Sequence, residues 1–460
     1  MKKLLKITGI TTAVLIVIAA FLTSSNNHTP YFESHYFTES LQRLDENKEK
    51  IVSTSDSLQA GFSKLSLTPN FTHPNQPDYI ENVPLAGYGA RKGKAATGIH
   101  DSVFVKAIAI KSGSNLIVGV TGGILIMPPN VIDLVEKELP NYGLTREQIF
   151  FSATHTHSSI GGWGPGLIGG QFAGTFEPKL VEWLTQQITS AIVLAINDLQ
   201  PAAMGYGTFE AGNFTRNRLV GKLGVTNNDF DFIRFRQASG REAVMGVFSA
   251  HTTVLGADNL EISGDYAGYW ERKTEQQTGA MALFFAGSMG SQSPVGEGHG
   301  FERAQYIGES LADSLLKYYP MTKLCHTPKI ASVSLKMDMP DYKIRITPHI
   351  GLSSMVSRKM MPFPMNVYLQ AIRFNDLIWI TTPADFSGEF GREIKNNLAA
   401  EGFHATVTGF NGTYVGYVIP GKYYFIDGYE PKTMGWFGPT MGDYTMHLIY
   451  DMGRTITQID

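Results

Sequence analysis

From residue 103 onward, short apolar runs alternate with longer segments of helical periodicity, and this alternation constrains the fold more than any other feature. Val103–Ile110, Leu116–Val120 and Gln148–Thr154 have the length of strands, whereas Pro129–Glu138 and Pro178–Leu199 have apolar residues at helical spacing. Such alternation is typical of α/β proteins, in which helices cover the faces of a central sheet. We therefore predict an α/β fold with a large mixed β-sheet core flanked by helices, in a single catalytic domain.

The same alternation continues through the rest of the chain. It predicts strands at Ala202–Phe209, Phe230–Arg236, Ala243–Ala250, Met281–Phe285, Ile330–Met337, Asn366–Phe374 and Leu377–Thr382. It predicts helices at Tyr266–Gln277, Ala304–Tyr318 and Gly388–Ala399. Residues 61–100 are predicted to be irregular, because prolines interrupt them repeatedly.

The N-terminal residues have the layout of an export signal. Lys2, Lys3 and Lys6 precede the apolar run Ile7–Leu22, and polar residues follow it. The run is slightly short for a comfortable spanning helix, and the small-residue pattern of a cleavage site is weak. Residues 1–25 are therefore predicted to be a signal peptide or a signal anchor. The remainder is predicted to be secreted, periplasmic or anchored on the outer side of the membrane.

We divide the rest of the chain into two parts. Residues 26–60 are polar and charged, with a helical pattern near Thr38–Asp56, and are predicted to be an N-terminal segment on the surface. Residues 61–460 show no internal repeat and no clear linker, so we assign them to one domain.

Charge and cysteine content exclude several classes of function. A formal net charge of −3 gives no electrostatic case for binding nucleic acid. Cys325 is the single cysteine, which excludes an internal disulfide and a zinc site built from several thiolates. Any metal must therefore be held by nitrogen and oxygen ligands.

The stretch from Phe150 to Gly162 carries the clearest chemical signal. An apolar, strand-like run ends in His155 and His157, and a glycine-rich loop follows. In an extended chain, side chains two residues apart point to the same side, so the two imidazoles are expected to converge. Such a pair suits a metal site, or a metal ligand beside a proton donor, and it equally suits two hydrogen-bonded structural histidines.

Other polar side chains also follow apolar strand-like runs. His251 ends one such run, and Asp385 ends another just before a predicted helix, where a helix cap is the alternative role. The segment Asn411–Val418 is rich in glycine and tyrosine, and tyrosines continue to Tyr429. A buried tyrosine beside a metal can ligate it or donate a hydrogen bond to a developing oxyanion.

Together these motifs resemble the neutral (non-lysosomal) ceramidases, zinc-dependent amidases that cleave the N-acyl bond of ceramide. The resemblance spans roughly residues 60–450. Ala153–Ser158 matches the family loop G-T-H-T-H-S-G-P, and Phe248–His251 matches a strand end of the type F-A-x-H. Pro383–Phe386 is similar to P-G-E-F, and Tyr414–Val418 fits Y-x-x-Y-V.

The resemblance implies a set of site residues and a reaction. A zinc ion would be held by His155, His251, Asp385 and Tyr417. His157, Arg216 and Tyr429 would act in catalysis, and Gly87 and Ser293 would contact substrate. The implied reaction is hydrolysis, by metal-activated water, of the N-acyl amide of ceramide or a related N-acyl lipid to a fatty acid and a free amine such as a sphingoid base.

Several positions depart from the family pattern. Asp385 replaces the family glutamate, so its backbone must approach a metal more closely by about one methylene. The family aspartates of two other loops fall on Ser291 and about Gly123. Arg216, in Phe214–Asn217, is taken as the counterpart of the arginine in I-N-R-S, although Arg218 is close enough to be confused with it. No immunoglobulin-like C-terminal domain is expected after this domain.

Alternatives of other classes stay open at this stage. Ser293 or Ser158 would be the nucleophile of a serine hydrolase, although neither lies in G-x-S-x-G. A non-catalytic, exported lipid- or glycan-binding protein, or a hydrolase of a different N-acyl amide, would also fit the chain. For the metal reading, histidine ligands need acceptors behind them, and Asp265 or Asp101 could serve. The predicted partner is a small-molecule or lipid substrate, with membrane association through the N-terminal segment and no nucleic acid.

Overall fold

The structure, a computed structural model, describes residues 2–26, 28–71, 73–76, 79–362 and 365–459. Its α-helices are α1 (Lys2–Leu22), α2 (His35–Lys48), α3 (Pro129–Glu138), α4 (Gly166–Ala173), α5 (Pro178–Asn197), α6 (Asp265–Thr278), α7 (Gly300–Tyr318), α8 (Ser354–Met360), α9 (Gly388–Ala400), α10 (Tyr429–Thr433) and α11 (Met441–Thr457). The first strands are β1 (Thr23–Ser25), β2 (Gln59–Ser66), β3 (Gly98–Ile99), β4 (Phe104–Ser112), β5 (Asn115–Gly122), β6 (Ile149–Ala153), β7 (Gln200–Glu210), β8 (Thr215–Asn217), β9 (Asp229–Gln237) and β10 (Glu242–Phe248). The remaining strands are β11 (Glu261–Ile262), β12 (Met281–Ala286), β13 (Gln292–Pro294), β14 (Ile330–Lys336), β15 (Ile350–Leu352), β16 (Tyr368–Phe374), β17 (Leu377–Thr381), β18 (Asp385–Phe386), β19 (His404–Thr408) and β20 (Tyr417–Val418).

An eight-stranded mixed sheet forms the centre of the molecule. Its strand order is β12-β10-β9-β7-β2-β4-β5-β6. The pairs β10–β12 and β5–β6 are parallel, and the other neighbours are antiparallel. Helices α5, α6 and α7 cover its outer face, where Leu184, Trp270 and Leu311 are buried. The predicted α/β fold with a large mixed sheet flanked by helices is confirmed.

A second sheet packs against the inner face of the first. It has the order β14-β16-β17-β19. Phe150 and Phe285 of the large sheet share one buried apolar cluster with Ile372 and Trp379 of the small sheet. The ring of Trp379 lies 5.2 Å from that of Phe150 and 5.4 Å from that of Phe285, centroid to centroid. This contact fixes the end of β6 relative to the end of β17.

Three strands therefore deliver their following loops to one region. Strands β6 and β10 of the large sheet end at Ala153 and Phe248, and β17 of the small sheet ends at Thr381. Because rigid strands determine where the next residues lie, this arrangement brings three loops from distant parts of the chain together.

The prediction of an irregular stretch over residues 61–100 is wrong at its start. Gln59–Ser66 forms β2, which pairs with β4 over its whole length in the middle of the large sheet. Gly61 hides this strand from a pattern search, yet the structure requires it, because a Cβ there would lie 2.1 Å from the carbonyl oxygen of Ala195 in α5. Strand β19 and the C-terminal helix α11 are also present without having been predicted.

The N-terminal helix α1 stands apart from the two sheets. Its apolar side chains are exposed, and strand β1 follows it directly and pairs antiparallel with β15. In the part of the chain that the structure describes, no helix combines the length and the apolar character needed to span a membrane. Export through residues 1–25 stays a prediction.

Candidate metal centre

Three side chains of metal-binding type meet where β6, β10 and β17 end. One ligand atom each from His155, His251 and Asp385 lies within 4.8 Å of the others. The exposed fractions of these side chains are 3%, 1% and 1%. The structure thus brings together three of the four predicted metal ligands in a buried group that can bind a metal ion.

His155 and His157, which follow β6, converge although the backbone between them is not an extended strand. His155 has φ of 61°, in the left-handed region, so the alternation of an extended strand does not explain its direction. The Nε2 atoms of His155 and His157 nevertheless lie 3.3 Å apart. Phe410, itself at φ of 65°, stacks on the His155 ring at 4.4 Å. Such backbone is maintained only where its surroundings over-determine it, and it is common at functional sites.

Hydrogen bonds fix how the two candidate ligand imidazoles are protonated. The Nδ1–H of His155 donates to the carbonyl of Leu125 at 2.7 Å, and that of His251 donates to the carbonyl of Met289 at 2.8 Å. In each neutral ring, Nε2 is then left with a lone pair. These two Nε2 atoms lie 3.5 and 3.1 Å from Oδ1 of Asp385, respectively.

Oδ1 of Asp385 and the Nε2 atoms of His155 and His251 are all hydrogen-bond acceptors, and none of the three carries a proton to share with the others. Its Oδ2 accepts a hydrogen bond from Tyr414 at 2.7 Å, whereas its buried Oδ1 has no hydrogen-bond partner among the described residues. A buried, unpaired carboxylate oxygen facing two imidazole lone pairs is costly unless a cation lies between them. The donor set of two imidazoles and a carboxylate therefore fits a metal ion.

The charges of these groups favour the same conclusion. Burial lowers the pKa of His155 to about 4, although the Asp385 carboxylate opposes this shift. Burial raises the pKa of Asp385, but the neighbouring His155 and His251 outweigh it and bring the pKa to about 2. At neutral pH the site therefore holds an ionised carboxylate beside a neutral His155 imidazole, the forms that bind metals.

Tyr417 and Arg218 flank the group on its other side. The hydroxyl of Tyr417 lies 2.8 Å from Nε2 of His251 and accepts a hydrogen bond from Nη2 of Arg218 at 2.7 Å. The same guanidinium nitrogen is 3.0 Å from Nε2 of His251. Nε of Arg218 donates to Glu430, a carboxylate that is only 3% exposed, at 2.9 Å. Arg218 thus places a permanent positive charge at the edge of the site.

These residues border a cavity of about 440 Å³. Apart from the polar group on one side, its walls are largely apolar, with Leu125, Ile126, Trp163, Phe172, Met434 and Trp436 among them. His157 and Gly87 line it near the metal-binding group, and Tyr429, 52% exposed, lines it as well. A concave, mostly apolar site with a few convergent polar groups is typical of small-molecule binding.

Comparisons with known proteins point to one family. The family model described as neutral/alkaline non-lysosomal ceramidase, N-terminal, matches residues 79–298, which include His155, His157 and His251. Over these residues the chain resembles the ceramidase family. The neutral ceramidase of Pseudomonas aeruginosa is 28% identical over 232 residues, which are 46% of this chain and 34% of that protein. Neutral ceramidase B of Dictyostelium discoideum is 27% identical over 281 residues, 56% of this chain and 37% of that protein.

The solved ceramidase structures extend the likeness to the whole fold. The crystal structure of the Pseudomonas aeruginosa neutral ceramidase matches with a TM-score of 0.71 at 20% identity, over 86% of this chain and 74% of the other. A ceramidase complexed with C2 matches with a TM-score of 0.75 at 19% identity, over 87% and 75% of the two chains. In the sequence comparisons, the chain spans about a third of the length of the curated ceramidases that it matches.

Arg216 is not where a ceramidase arginine at the substrate is expected. It lies exposed on β8, paired in register with Ser293 of β13. Among the described residues, those lining the cavity include Arg218 and neither Arg216 nor Ser293. The family segment I-N-R-S has an asparagine directly before its arginine, as Asn217 precedes Arg218. That dipeptide is a sequence signal that favours Arg218 over Arg216.

The predicted acceptors behind the histidines are also different from those observed. Asp265 accepts from the backbone N–H of Leu255, and Asp101 pairs with Arg272. The histidine rings donate instead to the carbonyls of Leu125 and Met289, so neither aspartate orients them directly. Carbonyl acceptors in loops leave no sequence signal, because any residue type supplies one.

Two residues that support the site, Arg91 and Ser291, were given no role by the sequence analysis. Arg91 is 1% exposed, and its Nη1 donates to the carbonyls of Ala86 and His157 at 2.9 and 2.8 Å. It thereby ties the backbone next to Gly87 to the backbone of His157. Ser291 donates to Glu430 at 2.5 Å, so the position where the family has an aspartate now supports the partner of Arg218.

The geometry does not favour a serine nucleophile in this ceramidase fold. The hydroxyl of Ser158 accepts a hydrogen bond from the side-chain amide of Asn259 at 3.0 Å. Within the described ranges, no hydrogen bond joins a histidine to Ser158 or Ser293, and neither serine lines the cavity. A serine hydrolase needs its base within hydrogen-bond reach of the nucleophile.

Proposed function

We propose that this chain is a zinc-dependent hydrolase that cleaves the N-acyl amide of ceramide or a related N-acyl lipid. Water adds across the C–N bond, which gives a fatty acid and a free amine. One observation carries the proposal: the unpaired Oδ1 of Asp385 faces the Nε2 atoms of His155 and His251 within an apolar cavity. The match of residues 79–298 to the ceramidase family model supports the choice of reaction.

Zinc suits the donors that the chain offers. His155, His251 and Asp385 would hold it, with the hydroxyl of Tyr417 as a fourth ligand, and these nitrogen and oxygen donors match zinc's preferences. When bound, zinc supplies an activated water molecule near neutral pH and polarises the acyl carbonyl. The absence of thiolates does not weaken this assignment, because catalytic zinc sites use histidine and carboxylate ligands.

His157 is the residue placed to handle the leaving-group proton. Its Nε2 lies 3.3 Å from that of His155, and its buried Nδ1 has no hydrogen-bond partner among the described residues. Burial lowers the pKa of His157 well below its ordinary value, so the ring is neutral and returns a captured proton readily. We assign to it the transfer of a proton to the amine nitrogen as the amide bond breaks.

Arg218 and Tyr429 are placed to bind the polar part of the substrate. The Arg218 guanidinium cannot lose its proton, and Glu430 fixes its orientation. It would stabilise negative charge that develops on the acyl oxygen. Tyr429 lies at the exposed side of the same cavity, where its hydroxyl can bind a head-group hydroxyl. Gly87 has no Cβ, which lets the His157 ring lie directly against its backbone at the wall of the cavity.

The apolar walls of the cavity support a lipid rather than a strongly polar substrate. Trp163, Phe172 and Trp436 offer a large apolar surface to an acyl chain or a sphingoid base. A substrate with charged groups at both ends would have to desolvate them against these rings. We therefore place N-acyl lipids ahead of water-soluble N-acyl amides.

The test measures metal content and product together. Purified protein is analysed by inductively coupled plasma mass spectrometry and incubated with a panel of N-acyl substrates, with detection of the freed amine. We expect zinc near one per chain and hydrolysis of an N-acyl lipid, both abolished by His251→Ala. His326→Ala is the matched control, because that histidine also hydrogen-bonds a backbone carbonyl but lies away from the cavity.

Two outcomes would overturn the proposal. Full hydrolysis by a verified metal-free protein would exclude the metal-dependent reaction. A zinc-loaded, folded protein that releases no amine from any N-acyl substrate would exclude an amidase and favour a binding protein.

A further inference from the structure

The segment that follows α1 is built into the domain. Strand β1 pairs antiparallel with β15, with Thr23 opposite Leu352 and Ser25 opposite Ile350. Asn26 is buried, and its side-chain amide donates to the carbonyls of Thr347 and Pro348 at 3.0 and 3.1 Å. A leader destined for removal has no need of such contacts. A cut beyond residue 26 would take away a strand of the folded domain.

Helix α1 itself has the opposite character. Apolar side chains on several sides of the helix are exposed, with exposed fractions between 45% for Leu22 and 71% for Phe21. Ile10, Val14 and Ile16 are among them. A helix that is apolar all round is stable when an apolar medium surrounds it, and an exposed patch of this size marks a contact surface. Its apolar surface therefore calls for a partner outside the described domain.

A short path of contacts links the end of α1 to the metal centre. The carbonyl of Leu22 accepts a hydrogen bond at 2.8 Å from the N–H of Ser353, the residue before α8. Beyond α8, Met361 and Met365 line a second cavity of about 440 Å³. Tyr414 and Trp436 line both this cavity and the one at the metal centre. The C-terminal end of α1 thus lies one short helix away from an apolar space that adjoins the site.

The surface around this junction is apolar with a basic component. Met355 in α8 is 72% exposed, and Ile346 and Ile350 on the β15 side are exposed as well. Arg358 and Lys359 stand exposed in the last turn of α8. In a lipid surface with anionic headgroups, exposed apolar side chains can enter the acyl region while lysine and arginine contact the headgroups.

We propose that residues 2–26 remain on the mature protein and that α1 embeds in a lipid bilayer, which holds the face formed by β15 and α8 against that bilayer. The partner is the bilayer itself. The β1–β15 pairing makes the connection short and rigid, so the apolar helix orients the domain as well as tethering it. In this orientation the second cavity faces the bilayer. If the proposed function holds, that bilayer is the source from which an N-acyl lipid is drawn.

Retention is tested first, on the full chain. The protein is extracted from membranes of expressing cells, and its intact mass and N-terminal peptide are determined. We expect a mass that includes α1 and β1. An N-terminus at or beyond residue 23 on the folded protein would overturn the proposal.

Bilayer contact is tested by flotation with vesicles of phosphatidylcholine and phosphatidylglycerol. Val14→Asp places a carboxylate in the middle of α1 and is expected to reduce the partition coefficient about 100-fold. Met321→Asp is the matched control, because Met321 is also an exposed apolar residue, at 68% against 51% for Val14, but lies in the turn after α7, beside β7. Equal flotation of both variants, or no flotation of the parent chain, would overturn the proposal.

Orientation is tested with an environment-sensitive fluorophore. In a Cys325→Ser background, which removes the single native cysteine, Met355→Cys and Met321→Cys are labelled separately. We expect vesicles to shift the emission of the label at position 355 to the blue and to leave that at position 321 unchanged. Identical responses would show that the β15–α8 face is not the one against the lipid. Because none of these measurements uses hydrolysis, an inactive enzyme would not affect their outcome.

Discussion

The two sides of the metal centre are held in different ways. On one side, His155 and His251 follow buried strands and donate to backbone carbonyls of neighbouring loops. On the other side, Arg218 and Tyr417 are held by bonds between side chains, and Glu430 anchors the arginine. We refer to these as the histidine side and the arginine side.

This difference separates two tasks. Backbone acceptors on a packed sheet fix a ligand atom firmly, as metal binding requires. Side-chain pairs place charge where a substrate's charge develops, and they depend on the chemistry of each partner. The comparison teaches that damage on the histidine side should remove the metal, whereas damage on the arginine side should leave the metal and remove catalysis.

The largest effect is expected at Asp385, which faces both histidines. Asp385→Asn preserves size but removes the charge and one acceptor, so zinc content should fall to background. Hydrolysis should fall at least about 10³-fold, since a metal supplies several kcal/mol of transition-state stabilisation. Asp376→Asn, at a carboxylate that binds the Tyr206 hydroxyl, is the control and should change neither quantity. Normal zinc content in Asp385→Asn would contradict the assignment of this ligand.

The next effect separates two arginines that are two positions apart. Arg218→Ala should reduce kcat/KM about 10²–10³-fold with zinc content unchanged, because an oxyanion donor is lost. Arg216→Ala should stay within about twofold. The Arg218→Ala change leaves Glu430 buried without its arginine, which can cost several kcal/mol of unfolding free energy. Arg218→Ala combined with Glu430→Gln therefore distinguishes lost stability from lost catalysis, and recovery of activity in that pair would contradict the role of Arg218.

Sequence patterns predicted the histidine side better than the arginine side, for a physical reason. His155 and His251 follow apolar strands whose positions a pattern reveals, and the motifs around them are short and contiguous. Arg218 lies in a loop, where the side chain that reaches the cavity depends on local turns that periodicity does not encode. The resemblance therefore selected a segment that reaches the cavity, but the residue chosen in it, Arg216, is not among the described residues that line the cavity, whereas Arg218 is.

The fold shows the same division. Helix α3 has the predicted bounds, Pro129–Glu138, and α5 and α7 differ from their predicted bounds by only a few residues at one end. Strand β2 was missed because only Ala60 and Phe62 alternate in it before Lys64 breaks the pattern, and because it contains Gly61, which long-range packing against α5 requires. The left-handed backbone of His155 and Phe410 had no clear local signal either, since positive φ is uncommon for any residue other than glycine. Such features depend on tertiary contacts that form only in the folded chain.

A smaller effect is expected where the two sides meet the substrate, at Gly87. Its φ is 113°, and a Cβ there would lie 2.6 Å from Cγ of His157. Gly87→Ala should therefore displace the His157 ring and lower kcat about 10–100-fold, since a displacement near 1 Å can cost that much. Zinc content should be unchanged. Gly143→Ala, at positive φ in open space, controls for backbone strain alone. Equal losses in both variants would mean that strain, rather than His157, explains the effect.

The smallest effect concerns stability on the histidine side. Asp265 is fully buried at φ of 53°, and it accepts from the N–H of Leu255 in the loop after His251. Burial raises its pKa from 3.8 to about 7, although backbone hydrogen bonds oppose the shift. The folded state therefore binds the proton of Asp265 more tightly than the unfolded state does. Protonation of Asp265 thus stabilises the fold, and this contribution to the unfolding free energy is fully present below about pH 4 and is lost as pH rises through 7.

Asp265→Asn tests this contribution, because asparagine tolerates positive φ and does not ionise. Relative to the variant, the parent chain should lose about 3 kcal/mol of unfolding free energy between pH 5 and pH 8, because about two pH units of this window lie below the folded-state pKa. Denaturant unfolding of the metal-free protein at both pH values measures the difference. Asp376→Asn, at an exposed carboxylate, should show no comparable change. A parent chain that gains stability relative to Asp265→Asn at the higher pH would show that the backbone N–H groups hold the carboxylate ionised, and would make Asp265 a charged anchor of the His251 loop.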